Sequence, residues 1–218
     1  MRLALLAALL GLAACQPGAP EETPAEPTGT PVEVTGLSAD EAAETARTTG
    51  DEAPDFELPD AVGGTVRLSD HLAEGPVVLT FYRGTWCPYC NTELRDLQAV
   101  LPEIEAAGAT LVAISPQVPD SSLSMRDRHA LTFPVLSDAG NKVSRAYGLV
   151  YRVGEDVANR YRASGIDLAV VNGDGVWELP VPATYVIDTS GVIRFAFVEA
   201  DYTQRAAPRT VVEALESL

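Results

Sequence analysis

Cysteine, histidine and basic side chains are scarce in this chain, and each shortage excludes a class of function. Of 218 residues, three are cysteines and two are histidines. Tetrahedral zinc needs four ligands; Cys87 and Cys90 supply two, and His71 and His129 lack ligand-like spacing. No metal and no cofactor is therefore expected. Lysine and arginine together number 15 against 31 acidic residues, a formal net charge of −16. No cluster of basic residues offers the surface that nucleic acid requires. The acidity reads instead as a solvated, soluble exterior. Long apolar runs are lacking as well: Leu3 to Leu12 is too short to serve comfortably as a membrane span.

That short run has another use. Arg2 supplies a basic head, Leu3 to Leu12 an apolar stretch, and Leu12-Ala13-Ala14-Cys15 follows. This order resembles the export signal and lipobox of bacterial lipoproteins, which implies lipidation of Cys15 as the first residue of the mature chain. Several acyl chains on one cysteine hold a protein stably on a membrane, whereas one does not. The expected organisation is a signal peptide over 1–14, a lipidated Cys15 with a Pro/Glu-rich spacer over 15–50, and a folded domain over 51–218. The expected location is outside the cytosol, lipid-anchored to a bacterial cell membrane on its periplasmic or cell-surface side. There, two remaining cysteines can cycle between dithiol and disulfide.

Residues from Gln16 to about Pro31 show no hydrophobic periodicity and read as an extended spacer. Ser38 with Glu41 fits a capping box for a short helix to Thr49, whose packing on the domain the sequence leaves open. Beyond Asp51 the pattern becomes α/β. Val77 to Tyr82 and Thr110 to Ser115 are apolar, β-branched runs typical of buried strands. Leu94, Leu97, Leu101 and Ile104 recur at helical spacing, with Pro102 expected to kink or divide the helix. Further helices are expected over Ser121–Leu131, Asn141–Tyr147 and Thr210–Leu218, a short strand at Phe133–Leu136, and a hairpin through Thr189-Ser190-Gly191. Between Val150 and Val181 the pattern is weak; Asp156 to Tyr161 reads as helical. Asn172-Gly173-Asp174-Gly175 reads as a turn, because Val170 and Val181 stand where a calcium loop needs ligands. Together these elements predict a three-layer α/β domain.

The chemistry centres on Phe81-Tyr-Arg-Gly-Thr-Trp-Cys-Pro-Tyr-Cys90. Cys87 falls where a strand ends and a helix begins, a position whose free N–H groups and partial positive charge favour a thiolate. Cys90, one turn on, can attack a mixed disulfide formed at its neighbour. Arg83 adds positive charge nearby, and Trp86 an apolar wall. Glu93 offers a carboxylate that could shuttle a proton, although a solvated helix glutamate is the simpler expectation.

From about Ala53 onward, the chain resembles the redoxin group, the alkyl hydroperoxide reductase/thiol-specific antioxidant family of thioredoxin-fold proteins. The matching motifs are Ala53-Pro54-Asp55-Phe56, Tyr82-Arg83-Gly84-Thr85-Trp86-Cys87-Pro88-Tyr89-Cys90, Ile114-Ser115-Pro116-Gln117, Pro134-Val135-Leu136-Ser137-Asp138, Ala146-Tyr147-Gly148-Leu149 and Pro182-Ala183-Thr184-Tyr185-Val186-Ile187-Asp188. The resemblance implies a thioredoxin-like fold, a central mixed sheet flanked by helices. It implies a peroxiredoxin-like antioxidant that reduces peroxides with electrons from a thiol donor such as a thioredoxin-like protein.

The motif departs from the peroxidase pattern. Bacterioferritin-comigratory peroxiredoxins read Phe-Tyr-Pro-x-x-x-Thr-x-x-Cys, which would make Cys90 peroxidatic, with Cys87 in place of the threonine and Arg83 in place of the proline. The arginine that polarises peroxide gives way to Pro182. Arg83 could replace it, with Arg160 and Arg162 as weaker candidates. The same departures resemble thioredoxins, where Trp86-Cys87-Pro88-Tyr89-Cys90 would attack through Cys87 and Pro182 would be the cis-proline facing the sulfurs. Glu93 matches a glutamate of membrane-anchored thioredoxins in cytochrome maturation. The alternative substrate is thus a protein disulfide. The site residues are Cys87 and Cys90 supported by Arg83, Thr85, Trp86, Glu93 and Pro182, and which cysteine attacks stays open. A metal-delivery or non-catalytic lipoprotein is the weaker third reading, since copper chaperones of this fold use Cys-x-x-x-Cys and a later histidine.

Overall fold

The computed structural model describes residues 36–218. The expected signal peptide, Cys15 and most of the expected spacer lie outside the described residues. The chain enters through α1 (Ala39–Thr45), whose capping box is formed as the sequence predicts: Ser38 Oγ accepts from the Glu41 amide, and Glu41 accepts from the Ser38 amide. Ala42 of α1 is fully buried. The packed part of the chain therefore begins ahead of Asp51.

A small antiparallel pair follows, β1 (Glu57–Pro59) with β2 (Thr65–Arg67), then α2 (Leu68–Leu72). The central strand β3 (Val77–Phe81) is buried at every position. It leads through a loop into α3 (Pro88–Ala99) and α4 (Leu101–Ala106). The break between those helices falls at Val100, just before Pro102, whose missing N–H and ring cannot continue α3. β4 (Thr110–Ser115), α5 (Pro119–His129), β5 (Val135–Ser137) and α6 (Lys142–Ala146) complete the strand–helix alternation.

The stretch that was weakest in sequence is an excursion. β6 (Val150–Arg152) pairs antiparallel with β7 (Glu178–Pro180), enclosing α7 (Glu155–Ala163) and α8 (Leu168–Val171). Val153, Ala158, Leu168 and Leu179 give it a small core of its own. Each strand has only three residues, too few for a period-2 signal. The chain then returns to form β8 (Ala183–Ile187), β9 (Ile193–Val198) and α9 (Pro208–Glu216).

The main sheet has the order β5-β4-β3-β8-β9, parallel across the first three strands and antiparallel from β3 onward. Alternation along β3 divides the core between two faces. Val77, Leu79 and Phe81 pack with Ala42 of α1, Leu68 of α2 and Val143 of α6. Val78 and Tyr82 pack with Leu94 and Leu97 of α3, Ile104 of α4, Met125 of α5 and Val211 of α9. Helix, sheet and helix thus make the three layers of a thioredoxin-like fold. Each fully buried leucine on α3 contributes about 1.5–3 kcal/mol. Both cysteines belong to the second face, so α3 is held rigidly where its N-terminus carries them.

Candidate active site

The site grows from the end of β3. Gly84, at φ +148, turns the chain where a Cβ would stand 2.6 Å from Trp86 Nε1. Thr85 is fastened by Gln117, whose Oε1 accepts from the Thr85 amide at 2.7 Å, and its carbonyl accepts from Asn91 Nδ2 at 3.2 Å. Thr85 therefore shapes the loop. Cys87 is the N-cap of α3, with Pro88 at the first helical position. The Cys90 amide donates to Cys87 Sγ at 3.4 Å and the Cys90 thiol donates to it at 2.8 Å. Both cysteines are free thiols.

These contacts separate the two sulfurs chemically. The hydrogen bond from the Cys90 thiol is the main influence on Cys87; with the Cys90 amide, Arg83 and Arg205 it outweighs burial and brings the thiol down to about 6. Burial, then the neighbouring Cys87, pushes Cys90 well above the usual thiol range. One thiol is poised as a thiolate at neutral pH, and the other keeps its proton.

Glu93 corrects the simpler sequence expectation. It is 6% exposed rather than solvated. Its Oε2 accepts from Arg205 Nε at 2.7 Å, and its Oε1 accepts from the Thr184 hydroxyl at 3.4 Å. Thr184 pairs in register with Thr80 of β3, and their hydroxyls are 3.3 Å apart. Burial pushes the Glu93 carboxyl up to about 8 against the pull of Arg205. Desolvation thus wins over the ion pair, and the carboxyl keeps a proton at neutral pH while still accepting from the guanidinium.

Arg83 is 2% exposed. Its guanidinium lies 4.0 Å from the centre of the Tyr202 ring and 5.0 Å from that of Trp86, and Nη2 donates to the Tyr161 hydroxyl. Trp86 itself packs against Tyr161 and borders the cluster containing both cysteines. The excursion thus delivers Tyr161 to the active-site loop. Arg160 is exposed, and Arg162 stacks on Trp177, so neither joins the site.

Pro182 requires a correction. Its bond to Val181 is trans, as are all peptide bonds among the described residues. The Val181 amide donates to Leu149 at 2.8 Å, and Ala183 at once enters β8 opposite Phe81, so the chain runs extended through Pro182.

Arg205 is the site residue that sequence reasoning missed. It stands on the segment between β9 and α9, where Nη2 comes 3.5 Å from Cys90 Sγ. No local pattern marks it, since it lies 115 residues from Cys90. A cleft of about 350 Å³ opens beside it, lined by Tyr89, Thr92, Glu93, Asp96, Arg205 and Pro208 among others. Among the described residues, no group of three or more His, Cys, Asp or Glu side chains is arranged to hold a metal.

The family model described as AhpC/TSA matches residues 49–196, and the chain belongs to that family. It is 39% identical over 104 residues to a putative peroxiredoxin of Mycobacterium tuberculosis, covering 48% of this chain and 66% of that protein. It is 35% identical over 107 residues to the thiol-disulfide oxidoreductase ResA of Geobacillus thermodenitrificans, covering 49% of this chain and 60% of the relative. The matched part thus spans just under two thirds of these curated relatives. Among solved structures, the peroxidoxin BcpB of Mycobacterium tuberculosis superposes with a TM-score of 0.64 at 26% identity, covering 78% of this chain and 97% of that one.

Proposed function

We propose that this protein is a thiol-dependent oxidoreductase of the peroxiredoxin-like kind, in which Cys87 attacks and Cys90 resolves. One observation carries the assignment: the amide and thiol of Cys90 both point at Cys87 Sγ. This arrangement makes a nucleophile of the first sulfur and keeps the second protonated until it is needed.

Hydroperoxide reduction is the first reading, supported by the family match and the peroxidoxin likeness. The Cys87 thiolate attacks the terminal peroxide oxygen, the O–O bond breaks, and the departing alkoxide takes a proton to leave as an alcohol. Cys87 is then a sulfenic acid. Once Glu93 has ionised, as it does with rising frequency toward pH 8, it takes the Cys90 proton, and Cys90 attacks Cys87 Sγ. The S–O bond breaks, and hydroxide takes a proton and leaves as water. The resulting Cys87–Cys90 disulfide has given two electrons to the peroxide, and a dithiol donor restores it by exchange. Arg83, held beside the pair, supplies fixed positive charge.

Disulfide reduction is the second reading. It is favoured by the attacking sulfur being Cys87 at the helix N-terminus rather than Cys90, the position aligned with the peroxidatic cysteine. The same two steps apply, with a thiolate as leaving group. Parallel stopped-flow assays of the reduced protein with hydrogen peroxide, an alkyl hydroperoxide and a protein disulfide distinguish the readings. Peroxide oxidation of Cys87 no faster than that of a free thiol rejects the first, and loss of both activities with Cys87 intact rejects the proposal.

We further propose export and anchoring through a lipid on Cys15, on the order of basic head, apolar run, small residues and cysteine. Mass spectrometry of the mature N-terminus is the test; a mature chain that retains residues 1–14 or carries no lipid on Cys15 refutes it.

A further inference from the structure

The three nitrogens of the Arg205 guanidinium are divided in an unusual way. Nε donates to Glu93 Oε2 at 2.7 Å, and Nη2 donates to Cys90 Sγ at 3.5 Å. Nη1 turns back onto its own segment, donating to the carbonyls of Tyr202 and Gln204, the latter at 2.7 Å. The side chain is 12% exposed. A surface ion pair contributes little and holds no fixed geometry. This guanidinium is nearly withdrawn from water, and its planar fork touches a carboxylate and a sulfur at once.

We propose that Arg205 is a positioning residue for the resolving step, holding the Glu93 carboxylate and the Cys90 sulfur on one rigid fork so that the proton can pass between them as Cys90 attacks. This rests on the reading of Cys87 as attacker and Cys90 as resolver. Tyr202 strengthens the placement: its ring lies over Arg83 and packs edge-on against Tyr89, between the two cysteines. The Tyr202–Arg205 segment is therefore pinned at two points beside the pair.

The charged and titratable groups facing Glu93 and Cys90 come from several elements. The β9–α9 segment gives Arg205, α3 gives Cys87, and the end of β3 gives Tyr82 and Arg83; β8 adds the neutral hydroxyl of Thr184. Of these, Arg205 is the one that contacts both the carboxylate and the Cys90 sulfur while opposing the burial of each.

The test resolves the two steps with an aromatic disulfide, 5,5′-dithiobis(2-nitrobenzoate). Attack by Cys87 releases one thionitrobenzoate, leaving a mixed disulfide. Attack by Cys90 on Cys87 Sγ releases the second and forms the internal disulfide, with the Cys90 proton passing to Glu93 and then to solvent. In the wild type the second phase accelerates as pH rises through about 8, where Glu93 ionises. Arg205→Met slows that phase at pH 7.5 by at least about tenfold and moves its midpoint upward, while the first phase changes by less than about threefold. Arg205→Lys, keeping the charge but not the fork, recovers part of the rate.

Glu93→Gln removes the wild-type midpoint, and adding Arg205→Lys to it slows the second phase no further, because both substitutions act on one unit. That pair of variants keeps the test decisive if Arg205→Met does not fold. A second phase with wild-type rate and midpoint in Arg205→Met, accompanied only by a lower melting temperature, makes Arg205 a structural clamp and overturns the proposal. Fully additive effects of Glu93→Gln and Arg205→Lys overturn it too. A wild type with no first phase instead removes the reading of Cys87 as attacker, a different failure.

Discussion

Cys90 aims both its amide and its thiol at the sulfur of Cys87, at 3.4 and 2.8 Å. One residue therefore supplies two of the interactions that stabilise the neighbouring thiolate, and the thiol contributes more than the amide. Cys90→Ala keeps the amide and deletes the thiol. The expected outcome is a rise in the Cys87 titration from about 6 toward the usual 9.0, read as the pH dependence of iodoacetamide alkylation. Cys90→Ser, which keeps a hydroxyl donor, shifts it less. A midpoint unchanged in Cys90→Ala would remove that hydrogen bond as the cause.

Glu93 makes stability depend on pH in a direction opposite to an ordinary surface carboxylate. Folded, it holds its proton up to about 8, against 4.5 when exposed. The folded state thus binds the extra proton between those values, so this stabilisation is complete below about 4.5 and is lost as pH rises through 8. The slope reaches at most about 1.4 kcal/mol per pH unit. Cys87 acts in the opposite sense, adding stability as pH rises from about 6 to 9. Urea unfolding of wild type and Glu93→Gln across pH 5–8 isolates the Glu93 contribution, and the wild type should lose stability relative to the variant over that range.

Gly84 carries a backbone constraint that bears on the thiols. A side chain there meets Trp86 Nε1 at 2.6 Å and the Gln117 side chain at 3.0 Å, at a φ of +148. Gln117 is the group that fastens Thr85. Gly84→Ala should cost about 1–3 kcal/mol in denaturant unfolding. It should also change Cys87 alkylation, because the loop that seats the N-cap moves. A variant with wild-type stability and reactivity would show that the loop accommodates a Cβ freely.

Arg83 separates charge from anchoring. Tyr161→Phe removes its hydroxyl acceptor and leaves a buried guanidinium donor without that partner, a loss of about 1–3 kcal/mol. The cation remains, so the Cys87 titration should hardly move. Arg83→Met removes the charge that helps lower Cys87 and should raise that titration. Equal titration shifts in both variants would mean that Arg83 acts through loop geometry alone.

Much of this architecture was legible from short-range signals. Val77 to Phe81 reads as a buried strand because both faces are covered, and it is buried at every position. The Ser38–Glu41 capping box and the division of the helix before Pro102 are local backbone chemistry, and both appear where expected. The placement of Cys87 at a helix N-cap follows likewise from the change of periodicity around it. By contrast, β6 and β7 are too short to show alternation, so the sequence did not indicate that α7 would bring Tyr161 to Arg83.

By itself, then, the sequence determined the strand–helix grammar and the seat of the two thiols, because those depend on neighbours within a few turns of chain. Tertiary structure alone decided their environment. It buried Glu93, which looks like a solvated helix residue until Thr184 of β8 and Arg205 of the segment before α9 meet its carboxyl. It ran the backbone extended through Pro182. It also brought Arg205 across 115 residues to the sulfur of Cys90. Burial and charge pairing depend on what packs against a residue, and one-dimensional spacing carries no record of that.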